Sequence, residues 1–330
     1  MIRGFVHEDR PGRVVFAAGA RHRLAAEVAT PLGGRVAELH PHAAMHVPVA
    51  VAEQALARSR EIDAGGCLAV GGGSAIGLAK AIAAQTGLPI VALPTTYAGS
   101  EMTSIWGLSD AGGKRTGRDP KVRPGTVVYD PELTVTLPVR QSVTSGMNAL
   151  AHSAEALYAP DRSPITALVA AESVRAIADA LPRVHADPRN LEARADALYG
   201  AWLAGTALGS TTMSLHHQLC HLLGGLFDMP HAETHTAVLP HVLALNLPAV
   251  PEARTALRSA LGAADPARYL FCTARRLGAE MSLRALGLPD DGLDAVVERA
   301  LAALYANPVH VTELDLRRLL GNALVGAEPA

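Results

Sequence analysis

The first 137 residues alternate short apolar runs with helical patterns, whereas the rest of the chain carries helical patterns only. The strand-like runs cover residues 13–16, 67–70, 89–93 and 126–129. Between them, apolar residues at helical spacing occur at 20–29, 49–62 and 74–86. Continuous apolar strands that alternate with helices are typical of a mainly parallel sheet covered on both faces. The sequence therefore predicts an α/β domain with a Rossmann-like sheet over residues 1–137.

Beyond residue 137 no strand pattern remains, and Pro and Gly separate successive amphipathic segments. The predicted helices cover residues 148–158, 165–184, 191–208, 215–227, 234–245, 251–261, 266–286, 293–304 and 314–324. The sequence thus predicts a second, all-α domain over residues 138–330.

Composition excludes several classes of function. A formal net charge of −2 and an aromatic content of 4% disfavour nucleic-acid binding. No uninterrupted apolar run is long enough to predict a membrane span, and the first ten residues lack the apolar core of a signal peptide. Three widely spaced cysteines indicate reduced thiols. We expect a soluble, cytoplasmic protein.

Two loops follow predicted strands of the first domain. Gly71-Gly72-Gly73-Ser74 opens a predicted helix, and Thr95-Thr96 and Thr103 lie in a second loop rich in hydroxyl groups. Backbone N–H groups at such a helix start can approach a pyrophosphate, although a tight turn that needs glycine for its backbone angles gives the same pattern. The pair of loops favours a nucleotide-binding site at the carboxyl ends of the strands.

Residues 214–241 contain six of the fourteen histidines, set among apolar residues. His217 and His221 are four apart, so they share a helix face. Pro230 interrupts this pattern and leaves His231 near the start of the next helix. Asn148 and His152, also four apart, lie on an earlier predicted helix. Asn148, His152, His217 and His231 suggest four ligands contributed by three helical segments.

The combination of these motifs resembles the iron-containing (group III) alcohol dehydrogenase superfamily over nearly the whole chain. The shared motifs include the GGGS loop, Pro94-Thr95-Thr96, Gly146-Met-Asn148-Ala-Leu-Ala-His152 and the pair His217 and His231. The resemblance implies a dehydroquinate synthase-like architecture, a homodimer and a metal held by His152, His217 and His231. Asn148 stands where the family has Asp, so a metal would lose its anionic ligand. We expect Fe or Zn to be dispensable.

Within the superfamily, the stretches at 97–103, 114–119 and 215–225 are similar to the maleylacetate reductases. That similarity implies NADH- or NADPH-dependent reduction of the C=C bond of maleylacetate, a small dicarboxylate, to 3-oxoadipate in aromatic degradation. Two alternatives stay open at this point: a metal-dependent alcohol dehydrogenase and a non-catalytic nucleotide-binding protein. The chain is also shorter than the family pattern between residues 29 and 46, which leaves the choice of coenzyme open.

The chemistry assigns expected roles to individual residues. An electrophile must stabilise an enolate oxygen, and cations must hold two carboxylates. The expected catalytic residues are His152, His217, His221 and His231. The expected substrate-binding residues are Tyr97, Asn148, Arg118 and Lys121. The remaining expectations concern other residues. We expect His216 and His241 to be structural, and the role of His235 is undecided. We expect Cys220 to lie in apolar packing and Lys80 to lie on an exposed helix surface.

Overall fold

The computed structural model of the protein describes residues 5–9, 12–29, 43–44, 47–110, 113–303 and 305–330. The chain forms two compact units. The first contains residues 1–137 and 189–198, and the second contains residues 138–188 and 199–330. Residues 189–198 were expected in the second domain. The shortened stretch at 29–46 falls largely outside the described residues, so that expectation stays a prediction.

The first unit is built on a five-stranded sheet with the strand order β1-β2-β7-β4-β3. The strands are β1 (Phe5–Asp9), β2 (Gly12–Phe16), β3 (Cys67–Gly71), β4 (Ile90–Pro94) and β7 (Thr126–Tyr129). All neighbouring pairs are parallel except β1 and β2. The central strands β4 and β7 are buried along their whole length, because both of their faces are covered. The prediction of a mainly parallel sheet is confirmed.

The helices of this unit lie where the apolar spacing predicts them. They are α1 (Leu24–Ala29), α2 (Val49–Glu61) and α3 (Gly73–Thr86). Val47, Ala52, Ala55, Leu78 and Ala81 form a buried cluster between α2 and α3. Gly87 ends α3 in a left-handed conformation that few other residues adopt readily.

A two-stranded hairpin, β5 (Ile105–Asp110) and β6 (Gly113–Arg118), was not predicted from the sequence. The pairing is visible only in three dimensions, because Trp106 on β5 packs over Gly117 on β6. A Cβ atom at Gly117 would lie 2.8 Å from the indole ring. Strand β1, which pairs with β2 at the sheet edge, was missed as well.

In the second unit the described residues form helices and no strands. The helices are α4 (Val139–Ala156), α5 (Pro164–Ala186), α6 (Leu191–Ser210), α7 (Leu215–Phe227), α8 (His231–Asn246), α9 (Pro251–Leu261), α10 (Pro266–Arg276), α11 (Gly292–Ala302) and α12 (Glu313–Val325). The first eight residues of α6 belong to the first unit. Within the described ranges no helix combines the length and apolarity that crossing a bilayer requires.

Two helix boundaries in the second unit differ from the predicted ones by nine residues or more. Helix α4 begins at Val139, nine residues earlier than its apolar pattern, because Pro138 takes the N-cap position and polar residues fill the first turn. Helix α10 ends at Arg276, ten residues earlier than expected. Gly278, with φ +86°, follows that end directly, and its left-handed backbone stops the helix.

Candidate active site

Helix α4 is the element that carries the candidate site in the second unit, and every residue from 142 to 156 on it is buried. It can approach α5 closely because Gly146 has no side chain: a Cβ atom there would lie 2.7 Å from Leu181. Asn148, His152 and Glu155 occur at helical spacing along α4, on the face that approaches α7. Close packing of α4 therefore places these polar side chains inside the protein.

Four imidazole rings meet in the buried part of the site. His152 of α4 stacks on His217 of α7, with 5.1 Å between ring centroids. His235 of α8 lies 5.0 Å from His217 and 6.4 Å from His152, and Nε2 of His216 lies 3.0 Å from its Nδ1. Burial lowers the pKa of His152, His216 and His235 well below the usual histidine value, so these three rings are neutral near pH 7.

Two further histidines lie on the more exposed side of the same cluster. His221 lies one turn beyond His217 on α7, with 6.1 Å between the ring centroids. His231, the first residue of α8, packs against His235 at 4.3 Å. Both side chains are half-buried. The structure thus brings together all four histidines expected to be catalytic, and it places His235, which was left undecided, at the centre of the group.

Glu155 is a functional candidate that the sequence did not reveal. Its side chain is fully buried, and its Oε2 atom lies 2.6 Å from Nδ1 of His217. The same carboxylate accepts hydrogen bonds from the backbone N–H groups of Ser214, at 2.9 Å, and His216, at 2.8 Å. These N–H groups belong to the start of α7, where the helix dipole favours a negative charge. The spacing of Glu155 from His152 is three residues, but nothing in the pattern links it to a helix sixty residues later.

Several polar atoms of the cluster are buried without a hydrogen-bond partner in the protein. They are Nδ1 of His152, Nε2 of His217, Nε2 of His235 and Oδ1 of Asn148. Because a carboxylate binds Nδ1 of His217, we assign the hydrogen to that nitrogen, which leaves Nε2 for another group. Buried polar atoms are usually satisfied in native proteins, so this set is what a site for a polar ligand requires.

The donor set fits the family metal poorly. Asn148 offers only a neutral amide oxygen where the family has a carboxylate. Among the described residues, the group of three whose ligating atoms lie within 4.8 Å of one another is His216, Cys220 and His235. The set expected from the resemblance, His152, His217 and His231, does not converge in this way. We derive no catalytic step through a metal at these residues, and their role as ligands stays a prediction.

The two loops expected to bind the coenzyme are neighbours in the first unit. The N–H of Thr95 donates to the carbonyl of Gly71 at 3.0 Å. A Cβ atom at Gly72 would lie 2.9 Å from the Thr96 side chain, so a larger residue there would require that side chain to move. Gly73 and Ser74 form the first turn of α3, where backbone N–H groups lack helical partners.

Lys80 is buried, and the expectation of an exposed surface lysine is wrong. Its side chain is 1% exposed. Its Nζ atom donates to the carbonyl oxygens of Ser100, Thr103 and Ile105 at 2.6–2.8 Å and to Oγ1 of Thr103 at 2.9 Å. Burial lowers the pKa of Lys80 to about 7, and the charge of Glu101 opposes that shift. The lysine therefore holds the loop after β4 to α3.

The remaining expected site residues have mixed surroundings. Tyr97 is fully buried in the first unit, and its hydroxyl accepts a hydrogen bond from Nη1 of Arg194 at 3.2 Å. Thr103 is buried as a partner of Lys80. Arg118, on β6, and Lys121 are exposed. Their roles in binding the substrate or coenzyme stay predictions.

Comparison with known proteins identifies the family. The profile of the iron-containing alcohol dehydrogenases matches residues 8–131. The profile of the C-terminal part of the same family matches residues 142–324. The chain belongs to the iron-containing alcohol dehydrogenase family. The predicted fold class, an α/β region followed by a helical region as in this family, is confirmed.

Several of the similar proteins are maleylacetate reductases. The chain is 50% identical to the maleylacetate reductase of Sphingobium indicum, covering 98% of this chain and 99% of that one. It is 47% identical to the maleylacetate reductase of Pseudomonas knackmussii, with 99% of both chains covered. The solved structure of the maleylacetate reductase from Rhizobium sp. is 43% identical, with full coverage of both chains and a TM-score of 0.91.

Proposed function

We propose that this protein is a maleylacetate reductase that uses NADH or NADPH. The observation that carries the proposal is the 45–50% identity to maleylacetate reductases over nearly the full length of the chain. The cluster of His152, His217, Asn148 and Glu155 supports it, because these buried polar groups suit a reaction in which negative charge develops on a substrate oxygen.

The reaction consumes one hydride and one proton. Hydride from the nicotinamide adds to the alkene carbon β to the ketone of maleylacetate, and the electron pair of the C=C bond moves to form an enolate. A proton then adds to the α carbon and gives 3-oxoadipate. The protein must bind the coenzyme, stabilise the enolate oxygen and hold the two carboxylates.

His217 is the group best suited to the enolate oxygen. Glu155 and the start of α7 fix its ring through Nδ1, and its Nε2 has no partner in the protein. Nε2 is the atom through which this ring would contact the enolate oxygen, and Glu155 holds the ring in place from its other side. His221 and His231, which are half-buried, lie at the more accessible side of the cluster.

The coenzyme site proposed here consists of the loops at 71–74 and 95–96. The start of α3 offers unpaired N–H groups and a favourable dipole for a pyrophosphate. The hydrogen bond from the N–H of Thr95 to the carbonyl of Gly71 and the close approach of the Thr96 side chain to Gly72 support a fixed loop geometry. Arg118 and Lys121 are the proposed partners of the substrate carboxylates. A homodimer is expected from the resemblance alone.

One assay tests the proposed function and its main alternative together. Maleylacetate, made by alkaline hydrolysis of dienelactone, is supplied with NADH and then NADPH, and coenzyme oxidation is followed by absorbance. Simple alcohols with NAD⁺ or NADP⁺, with and without added Zn²⁺ or Fe²⁺, form the second arm. We expect turnover only in the first arm, without added metal. Turnover of alcohols alone would establish a metal-dependent alcohol dehydrogenase, and binding of NADH without any turnover would contradict both enzymes.

A further inference from the structure

Helices α7 and α8 face each other with three metal-ligating side chains that the proposed reaction does not use. His216 and Cys220 are four residues apart on α7, and His235 projects from α8. Each of the three is 2% exposed or less. Their donor atoms all lie within 4.8 Å of one another, and they belong to no other set of expected ligands.

The separations of these atoms match those around one small cation. Nε2 of His216 lies 3.0 Å from Nδ1 of His235 and 3.8 Å from Sγ of Cys220. A tetrahedral zinc ion with bonds of about 2.05 Å to nitrogen and about 2.3 Å to sulfur keeps two nitrogens about 3.3 Å apart and nitrogen and sulfur about 3.6 Å apart. Shifts of a few tenths of an ångström would therefore bring these two pairs of atoms to such separations.

A hydrogen bond explains the short distance between the rings of His216 and His235, but no good hydrogen bond explains the position of Cys220. The Sγ atom of Cys220 is nearly equidistant from the two ring nitrogens of His216, at 3.8 and 4.0 Å. It therefore points along the lone pair of neither nitrogen, which makes a poor hydrogen bond. The thiol therefore gains little from His216 and is available to a cation that the two imidazoles also bind.

We propose that His216, Cys220 and His235 bind one thiophilic divalent cation of the zinc class, which clamps α7 to α8. Its three ligands differ from the set His152, His217 and His231 that the family resemblance suggests, and the His235 ring lies beside the rings of His217 and His231. The proposal does not depend on the proposed reaction. The ion forms bonds to two neutral imidazole nitrogens and one thiolate sulfur. The thiol proton of Cys220 is released to solvent, and no electron is transferred.

Cobalt provides a direct test, because a thiolate bound to Co²⁺ gives a near-ultraviolet charge-transfer band that histidine ligands do not give. The full-length protein is freed of metal with a chelator, and Co²⁺ is added under reducing conditions. We expect one Co²⁺ per chain with this band, and we expect Zn²⁺ to displace it. The band should be lost in Cys220→Ala and should persist in Cys272→Ala, a matched control on a half-buried cysteine of α10.

A second measurement guards against a variant that merely fails to fold. Zn²⁺ at a hundredfold excess over its Kd should raise the Tm of the wild-type protein by about 5 °C and leave that of Cys220→Ala unchanged. The metal-free proteins should unfold at similar temperatures. Persistence of the charge-transfer band in Cys220→Ala would overturn the proposal. Absence of the charge-transfer band from the wild-type protein would also overturn it. The same holds if the wild type binds Co²⁺ without the band and this binding is lost in His231→Ala.

Discussion

Nδ1 of His217 lies 2.6 Å from the carboxylate of Glu155, and both side chains are buried. The carboxylate also binds the first N–H groups of α7, so the helix that carries His217 and the ring itself are held by one side chain. This arrangement fixes which ring nitrogen carries the hydrogen. It connects the packing of α4 against α7 to the chemistry expected of His217.

Replacing Glu155 with Gln should reduce kcat by about 10- to 100-fold, as is typical when a group that orients a histidine is removed. The side-chain amide of Gln has only one acceptor oxygen. Its NH₂ group must therefore face either His217 or the N–H groups at the start of α7, and the group that it faces loses its hydrogen-bond acceptor. That loss should also lower the free energy of unfolding by about 1–3 kcal/mol. Steady-state assays with maleylacetate and thermal unfolding measure the two effects. Glu172→Gln, at an exposed position on α5, is the control, and equal kcat in both variants would remove Glu155 from the site.

Replacing His231 with Ala should lower kcat by about 100-fold or more, because general acid–base or electrophilic groups contribute at least this much. The affinity for NADH should change little, since the coenzyme loops belong to the other unit. Fluorescence titration with NADH and turnover assays separate the two parameters. His185→Ala, an exposed histidine near the end of α5, serves as the matched control. An unchanged kcat would contradict the assigned role.

Replacing Lys80 with Met should weaken NADH binding about tenfold, equal to about 1.4 kcal/mol. The ammonium group is bonded to three carbonyl oxygens and a hydroxyl in the loop that contains Thr103, and a thioether cannot replace these bonds. Calorimetric titration with NADH and thermal unfolding measure the loss. Arg58→Met on the surface of α2 should leave both quantities unchanged. Wild-type NADH affinity in the Lys80 variant would show that the loop does not depend on this lysine.

The contribution of Lys80 to stability should also depend on pH. Its pKa falls from 10.5 in the unfolded chain to about 7 in the fold, so between these values the unfolded chain binds more protons. The stability difference between wild type and Lys80→Met should therefore increase from about pH 7 to about pH 10.5, by at most about 1.4 kcal/mol per pH unit. Glu101 changes the slope in the same direction. In Lys80→Met the nearby ammonium is lost, so the already raised pKa of Glu101 rises further and the variant loses stability as the pH increases. Urea unfolding across this range tests the slope, and a difference that shrinks with rising pH would contradict it.

Replacing Asn148 with Asp should create affinity for Fe²⁺ or Zn²⁺, since it restores the anionic ligand of the family next to His152. Maleylacetate turnover should fall, because a buried negative charge opposes the developing enolate. Metal analysis after dialysis against each ion, together with the reductase assay, measures both effects. Asn190→Asp is the control. The side-chain oxygen of Asn190 accepts a hydrogen bond from a helix N–H, and Asp can accept the same bond. This variant should gain no metal. Equal metal content in the two variants would refute this account of Asn148.

The sequence predicted which histidines lie near one another but not which groups bind them. The i, i+4 pairs Asn148–His152 and His217–His221 follow from helix geometry, and their family spacing is visible in the chain itself. Glu155 was missed, because its partner lies on a helix distant in sequence and a buried carboxylate leaves no periodic signal. The burial of Lys80 was not predicted for the same reason. Its carbonyl partners belong to the backbone of residues 100–105, and no side-chain pattern in the sequence indicates them.

The sequence by itself determined the parallel sheet of the first unit, the helical second unit and the family, because apolar periodicity and motif spacing are local properties of the chain. Only the tertiary structure decided which nitrogen of His217 lies against the carboxylate of Glu155 and which has no hydrogen-bond partner in the protein. It also decided that Lys80 is buried and that His216, Cys220 and His235 meet. These features arise where α4, α7 and α8 pack together, or where α3 packs against the loop after β4. Packing of elements distant in sequence sets the burial and charge that each side chain experiences.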